Sequence, residues 1–360
     1  MDDVIPFAAD DILLDIEDAE IPLYGDSEDG VDEETTDGKE SIMIDLVDNE
    51  DPVIIEEYQR LPSDFEAGCV WDGDNYSCAF NAVFMIFYSI YGQSDHTWRN
   101  VWKDESPQWN IPLGNLFDLL LSITANNYSP QECSSWFSRC RDIFRDQVAE
   151  SDPGCFPRGP CFAPACDILQ RILGGTNAEP LACQNLVCTG CGAEKKNIGF
   201  SLSYLGCSFH LNDLHRSQDP PILPLQLVLT RFIEKYSTEP NSAHQKCRLC
   251  RAAQRVHSLH FPETSWTWFE LTDRPVLPSL EISYYPLATQ QTHTLQAIIY
   301  LGGGHFTARM RKGPDSWWKY DDQWKFGKPQ PETITTSEEL RWLGNRRPAF
   351  LIYRRCNVDG

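Results

Sequence analysis

Two C-x-x-C pairs, Cys188-Thr-Gly-Cys191 and Cys247-Arg-Leu-Cys250, constrain this chain more than any other feature. Four thiolates in two knuckles match a tetrahedral zinc site, and four sulfur ligands leave no open position for water, so the expected role is structural. A redox dithiol needs one such pair and does not explain two. The 55 residues between the knuckles are long for a simple finger. Strands must fold back to bring the pairs together. His244 and Cys183 are spare donors.

The chain holds 14 cysteines in 360 residues. A disulfide framework belongs to short secreted chains. The opening MDDVIPFAADD has neither a basic n-region nor an apolar h-region, so no signal peptide is expected. The longest apolar run, AVFMIFYSIYG, falls well short of the roughly 20 residues of a membrane helix. Reduced thiols, metal ligands and a catalytic thiol are the expected uses of cysteine. Cytoplasm, nucleus or both is the expected location, with no membrane partner.

The formal net charge of −23 is unevenly spread. Residues 1–60 hold 22 acidic and two basic residues, and the remaining 300 are close to neutral. The acidity belongs to a tail, residues 1–63, which reads as disordered. A folded part without a basic patch argues against nucleic acid as a partner. Two apolar islands interrupt the tail, at residues 42–48 and 53–57. Short β-branched runs flanked by acids can add as a strand to a sheet edge. The pattern resembles SUMO-interacting motifs. A linker with a few apolar residues is the plainer reading.

From about residue 64 the composition becomes globular. Phe80, Val83, Phe84, Phe87 and Tyr91 recur at helical spacing, predicting a helix over 79–91. Residues 111–150 read as helical with an interruption near Ser129-Pro130, and CDILQRILGG (166–175) as a short helix stopped by glycine. After about residue 181 strands follow: IGFSLSYL, LPLQLVLTRFI, RVHSLHF, SWTWFEL, LQAIIYL, HFTARMR, WWKYDD and AFLIYRR. Helices first and strands later predict an α+β domain rather than a doubly wound sheet.

Cys78 stands where the first helix begins. Free backbone N–H groups and the helix dipole there favour a thiolate, and Asn75 or Ser77 is placed to cap the helix. A buried structural cysteine is the competing reading. His305 follows three glycines and opens HFTARMR, which KGPDS joins to WWKYDD as a hairpin. Pairing Arg311 with Trp317 puts His305 opposite Gln323, with Asp321 on the same face and within reach. A one-residue slip puts Asp322 there instead. A His–Asp couple is therefore expected, with Asp321 favoured, to fix the imidazole tautomer and stabilise the imidazolium. A surface histidine on an ordinary hairpin is the bland alternative.

The order of these elements resembles the ubiquitin-specific protease family of deubiquitinases. CAFNA (78–82) is similar to that family's cysteine box, including an Asn three residues on, Asn81. GHFTARMRKGPDSWWKYDD (304–322) is similar to its histidine box, PAFLIYRR (348–355) to its closing strand, and KCRLCRAAQRVHSLHFPET (246–264) to its second knuckle. The resemblance spans roughly residues 65–356. It implies a papain-like cysteine protease domain over 64–356 with a zinc-ribbon finger insertion at about 183–260, structural Zn2+, ubiquitin or SUMO conjugates as partners, and a Cys78/His305/Asp321 triad. It departs in three places: the family usually has an oxyanion-stabilising Asn five residues before the cysteine, and Gly73 stands there; the small residues usual just before the cysteine are replaced by Asn75-Tyr76-Ser77; and LPxxLxxxLxRF ahead of the histidine box is reduced to FPETSWTWFEL. Asn75 is near, at a different offset. The implied reaction is thioester-mediated release of a modifier from lysine. SUMO-specific cleavage and a catalytically inactive modifier-binding module stand as alternatives.

Overall fold

The computed structural model describes residues 67–126, 128–174, 182–200, 214, 216–238, 246–252, 254–260, 266–271, 275–284 and 291–356. The acidic tail with its islands at 42–48 and 53–57 lies outside the described residues, as do His244 and the end of IGFSLSYL.

Helices come first: α1 (Cys78–Gln93), α2 (His96–Glu105), α3 (Pro107–Ala125), α4 (Pro130–Ser151) and α5 (Ala165–Gly174). Every residue of α1 from Cys78 to Gly92 is buried. The stripe that predicts this helix is thus one side of an element enclosed all round, as an apolar run without polar faces requires. Phe84, Phe87 and Tyr88 pack edge-on or stacked against Phe117, Trp102 and Phe137. Each such fully buried aromatic contributes on the order of 2–3 kcal/mol. The interruption at Ser129-Pro130 is the start of α4, where Ser129 and Glu132 form a reciprocal capping box. Asp95 caps α2 through Trp98 N, a helix that its polar composition hides from a period count.

The strands make two sheets. Residues Ala182–Cys188 (β1), Glu194–Phe200 (β2) and Gln254–His260 (β3) form a three-stranded antiparallel sheet in the order β2-β1-β3. The larger sheet holds β4 (Trp266–Glu270), β5 (Glu281–Tyr284), β6 (Gln291–Gly302), β7 (His305–Arg311), β8 (Ser316–Tyr320), β9 (Gln330–Thr333) and β10 (Arg347–Arg355). Its order is β4-β10-β6-β7-β8-β9, with β5 paired to β6. The fold is α+β, as expected.

One expected strand is a helix. LPLQLVLTRFI falls in α6 (Leu225–Thr238). Leu225, Val228, Leu229, Phe232 and Ile233 lie at i, i+3, i+4, i+7 and i+8, and all are buried. The helical period outweighs the aliphatic composition that suggested a strand.

Side-chain alternation divides the core across the larger sheet. Ala297, Ile299, Ala308, Met310, Phe350 and Ile352 pack with α1, α3, α4 and α5. Leu295, Ile298, Tyr300, Leu351 and Tyr353 pack with α6 on the other face. α1 therefore lies against β6 and β7, which brings its N-terminus to the start of β7.

Candidate catalytic site and cysteine cluster

Residues 72–77 set the start of α1. Gly73–Asn75 form a 3-10 turn, Tyr76 takes a left-handed conformation (φ 42°), and Ser77 is the N-cap. Ser77 does not cap with its side chain. Its Oγ instead accepts from Asp72 N at 2.8 Å and from Asn81 Nδ2 at 3.0 Å. Asn75 does not cap either: its Nδ2 donates to Asp72 Oδ2 at 2.7 Å, inside the turn. One N–H of the Asn75 amide is thus engaged within the turn. Cys78 follows as the first residue of the helix and is 3% exposed.

His305 arrives from the opposite direction. Gly303 and Gly304 have φ of 62° and 70°, the paired positive values of a tight hairpin turn between β6 and β7. Gly302 pairs with His305 across it. The β7–β8 register runs from Arg311↔Trp317 to Ala308↔Tyr320, the pairing expected from the KGPDS turn. The strand then ends, and Asp321 and Asp322 leave it on a loop.

Both aspartates reach the histidine. His305 Nε2 lies 3.0 Å from Asp321 Oδ1 and 3.3 Å from Asp322 Oδ1. The Cys78 side chain is close enough to the same imidazole to help raise its pKa. With Nε2 turned to the carboxylates, Nδ1 is the nitrogen left for the thiol. Burial of the ring works against its charge. The hydrogen bond to Asp321, the Cys78 side chain and the charges of Asp322 and Asp321 outweigh it, and the imidazole is raised to about 9.

The two carboxylates sit in different surroundings. Asp321 is one-third exposed; its Oδ1 also accepts from Gln323 N at 3.1 Å and its Oδ2 lies 3.4 Å from Arg346 Nη1. Burial raises its pKa, but His305, Gln323 N and Arg346 hold it below the usual value. Asp322 is 1% exposed. Burial pushes it up to about 6, against the lowering effects of Asn81, His305 and Arg141. Its Oδ2 accepts from Asn81 Nδ2 at 2.6 Å, and Arg141 Nη1 donates to Asn81 Oδ1. Arg141 and Arg346 carry no motif in the sequence. A cation within α4's buried apolar stripe of Phe137, Cys140, Phe144 and Val148 is the one signal that marks Arg141.

The four knuckle cysteines also meet. Cys188 Sγ lies 3.3 Å from Cys250 Sγ, and Cys191 Sγ lies 3.7 Å from Cys247 Sγ. All four sulfurs fall within 4.8 Å of one another. A tetrahedron of sulfurs about 2.3 Å from zinc has edges of roughly 3.8 Å, so the donor set fits that ion. The knuckles repeat one design. Cys188 N donates to Ala193 O and Gly192 N to Cys188 O; Cys247 N donates to Ala252 O and Arg251 N to Cys247 O. The fifth residue has positive φ in both, Gly192 (72°) and Arg251 (63°). Backbone N–H groups of Gly190 and Cys191 point at Cys188 Sγ. With the Cys191 N–H foremost they lower that thiol to about 6, burial opposing. β1 ends at Cys188 and β3 begins just after Cys250, so pairing of β1 with β3 is what joins knuckles 55 residues apart.

No protein-family model matches the sequence, and no curated protein sequence matches it. Among solved structures, the chain is similar to the Neurospora crassa Pan2 catalytic unit, its protease and nuclease domain, at 12% identity with a TM-score of 0.43. The match covers 81% of this chain and spans 57% of the length of that one.

Proposed function

We propose that this chain is a cysteine isopeptidase that removes ubiquitin or a ubiquitin-like modifier from lysines. The observation that carries this reading is the convergence of Cys78, His305 and Asp321 from a helix start, a glycine hairpin and a strand end. A core cysteine has no need of an imidazole that is itself backed by two carboxylates. The papain-like assignment of the α+β fold and the zinc-ribbon assignment of the β1–β3 sheet belong to the same proposal.

His305 accepts the Cys78 thiol proton, and the sulfur attacks the carbonyl carbon of the modifier's C-terminal glycine. The imidazolium returns the proton to the leaving lysine amine, and water then hydrolyses the thioester with His305 as base. Asp321 orients the ring and stabilises its charge. The Cys78 backbone N–H is available to the oxyanion, with Asn75 the side-chain candidate. Gly302, Gly303 and Gly304 suit a channel for a glycine-ended tail. Cys188, Cys191, Cys247 and Cys250 would hold a zinc ion, which supplies a structural crosslink when bound.

The tail islands at 42–48 and 53–57 favour SUMO, or SUMO-modified proteins, as a second reading of the substrate. Cytoplasm, nucleus or both is the proposed location. Among the described residues no helix is long and apolar enough to cross a membrane. Activity probes test the reading. Ubiquitin and SUMO, each ending in a thiol-reactive warhead, are offered to wild type and Cys78→Ala. A ubiquitin adduct lost in the variant supports a deubiquitinase, and a SUMO adduct a SUMO isopeptidase. No adduct from folded, zinc-loaded protein overturns both and leaves a binding module.

A further inference from the structure

Arg141 is 2% exposed and pairs with Asn81 in the first turn of the helix that Cys78 begins. Its Nε meets Asp142 Oδ1 at 2.8 Å, and its Nη1 reaches Val70 O at 3.5 Å and Asn81 Oδ1. A guanidinium only donates. Asn81, which is wholly buried, must therefore turn Oδ1 toward Arg141, and this selects one of its two amide orientations. Nδ2 is thereby delivered to Asp322 Oδ2 at 2.6 Å and to Ser77 Oγ at 3.0 Å. With the amide reversed, Oδ1 would face the Asp322 carboxylate and Nδ2 would face the guanidinium, and both contacts would be repulsive.

Two ends of the site hang on that one amide. Asp322 Oδ1 lies 3.3 Å from His305 Nε2 and has no aligned hydrogen bond of its own. Asn81 is therefore the side chain that fixes this carboxylate. Ser77 Oγ, held by the same Nδ2, accepts from Asp72 N and so ties the loop to the residue before Cys78. A buried cation is a poor way to fill space. An apolar residue would continue the Phe137, Cys140, Phe144 stripe without the desolvation penalty.

We propose that Arg141 is a positioning residue of the catalytic centre. By orienting the Asn81 amide it holds Asp322 against His305 and fixes the Ser77 turn that presents Cys78. This rests on the protease reading of Cys78 and His305, and the test separates the two.

The measurement is the rate at which iodoacetamide alkylates Cys78 at neutral pH, read on the Cys78 peptide by mass spectrometry, with exposed Cys161 as the internal standard. It needs no modifier substrate. Arg141→Met is expected to slow Cys78 alkylation roughly 10- to 100-fold, the scale of one charge-assisted hydrogen bond. Arg141→Lys, which still donates to Asn81 Oδ1, is expected to recover most of that loss. In an Asp322→Asn background, Arg141→Met is expected to cost less than in wild type, because only the Ser77 arm of the relay is left to break and residues that act as one unit are not additive. A merely structural arginine gives additive losses and no rescue by lysine.

Unchanged Cys78 reactivity in folded Arg141→Met overturns the positioning role alone. A wild-type Cys78 that reacts no faster than Cys161 overturns the protease reading itself. If Arg141→Met does not fold, Asn81→Leu breaks the relay at its middle while leaving Arg141 its contacts with Val70 and Asp142. Full Cys78 reactivity in folded Asn81→Leu overturns the proposal equally.

Discussion

Asp321 and Asp322 address the same atom, the Nε2 of His305, at 3.0 and 3.3 Å. One N–H cannot align on both. Asp321 is the hydrogen-bonded acceptor, and Asp322 is a second charge held close by Asn81. Neither carboxylate should then be indispensable. Asp321→Asn is expected to lower kcat/KM by roughly 10- to 100-fold, because Asp322 still supports the imidazolium. The double Asn variant is expected to approach the loss of about 10⁴ seen when a triad carboxylate is wholly removed. Hydrolysis of a fluorogenic modifier substrate measures this. A single Asp321→Asn as damaging as the double variant would refute the shared arrangement.

The pH dependence follows from the raised imidazole. The ring that has taken the thiol proton is the acid for the leaving amine and keeps that proton below about pH 9, so kcat/KM should hold through neutral pH and fall with an alkaline limb near 9. Asp321→Asn removes the foremost raising influence, and the limb should move down toward the ordinary value of 6.5. Stability carries the same sign. A histidine whose folded pKa lies above its unfolded value contributes stability below about pH 6.5 and loses it as pH rises through about 9. Urea midpoints of wild type should decline over that window, and those of His305→Asn should decline less. Equal slopes would show that His305 is not raised.

How much of this is legible in the sequence depends on the range of the forces involved. The β7–β8 register is legible because a turn signal and side-chain alternation act over few residues, and they place both aspartates near His305. Cys78 at a helix start is legible for the same reason. The fate of Ser77 is not: its sequence position says cap, but Asn81 and the Asp72 backbone claim its oxygen. Arg141 is 60 residues from Asn81 on another helix, and nothing local announces their bond. α6 shows a different failure. Its aliphatic composition points to a strand, yet the helical spacing of Leu225, Val228, Leu229 and Phe232 is present in the sequence, and the face that spacing makes packs with Phe269 and Tyr353.

The cysteine cluster predicts a metal stoichiometry. Wild type should carry one zinc per chain. Serine at Cys188, Cys191, Cys247 or Cys250 should each reduce this to near zero, because three thiolates hold structural zinc far less well than four. Cys161→Ser and Cys356→Ser, outside the cluster, should leave it at one. Elemental analysis of the purified proteins decides. Zinc retained in all four knuckle variants would remove the assignment.

The loop that carries both aspartates is held down by a glycine contact that no side chain can replace. Trp71 N donates to Asp322 O, Gly68 N to Phe326 O, and Tyr320 OH to Cys69 O. Gly327 has a φ of 61°, and a Cβ there would sit 2.0 Å from Cys69 O and 3.1 Å from Gly68 C. Those atoms are backbone, fixed in turn by Ser134 Oγ, whose single O–H lies between Gly68 O at 3.0 Å and Phe326 O at 2.9 Å. Gly327→Ala must therefore part segment 67–72 from loop 321–328. It should cost several kcal/mol, the range for a steric clash combined with a strained backbone. Gly344 offers the control: its φ is 63°, but nothing lies within 4 Å of its added Cβ. Gly344→Ala should cost only about 1–2 kcal/mol, from the left-handed backbone alone. Urea unfolding of the two variants gives the comparison. The site should respond with the fold, because a displaced Asp322 loses its approach to His305, and Gly327→Ala should be slower than Gly344→Ala in modifier cleavage even below its unfolding transition. Equal midpoints for the two alanines would mean that the contact between Gly327 and Cys69 does not set the position of the aspartate loop.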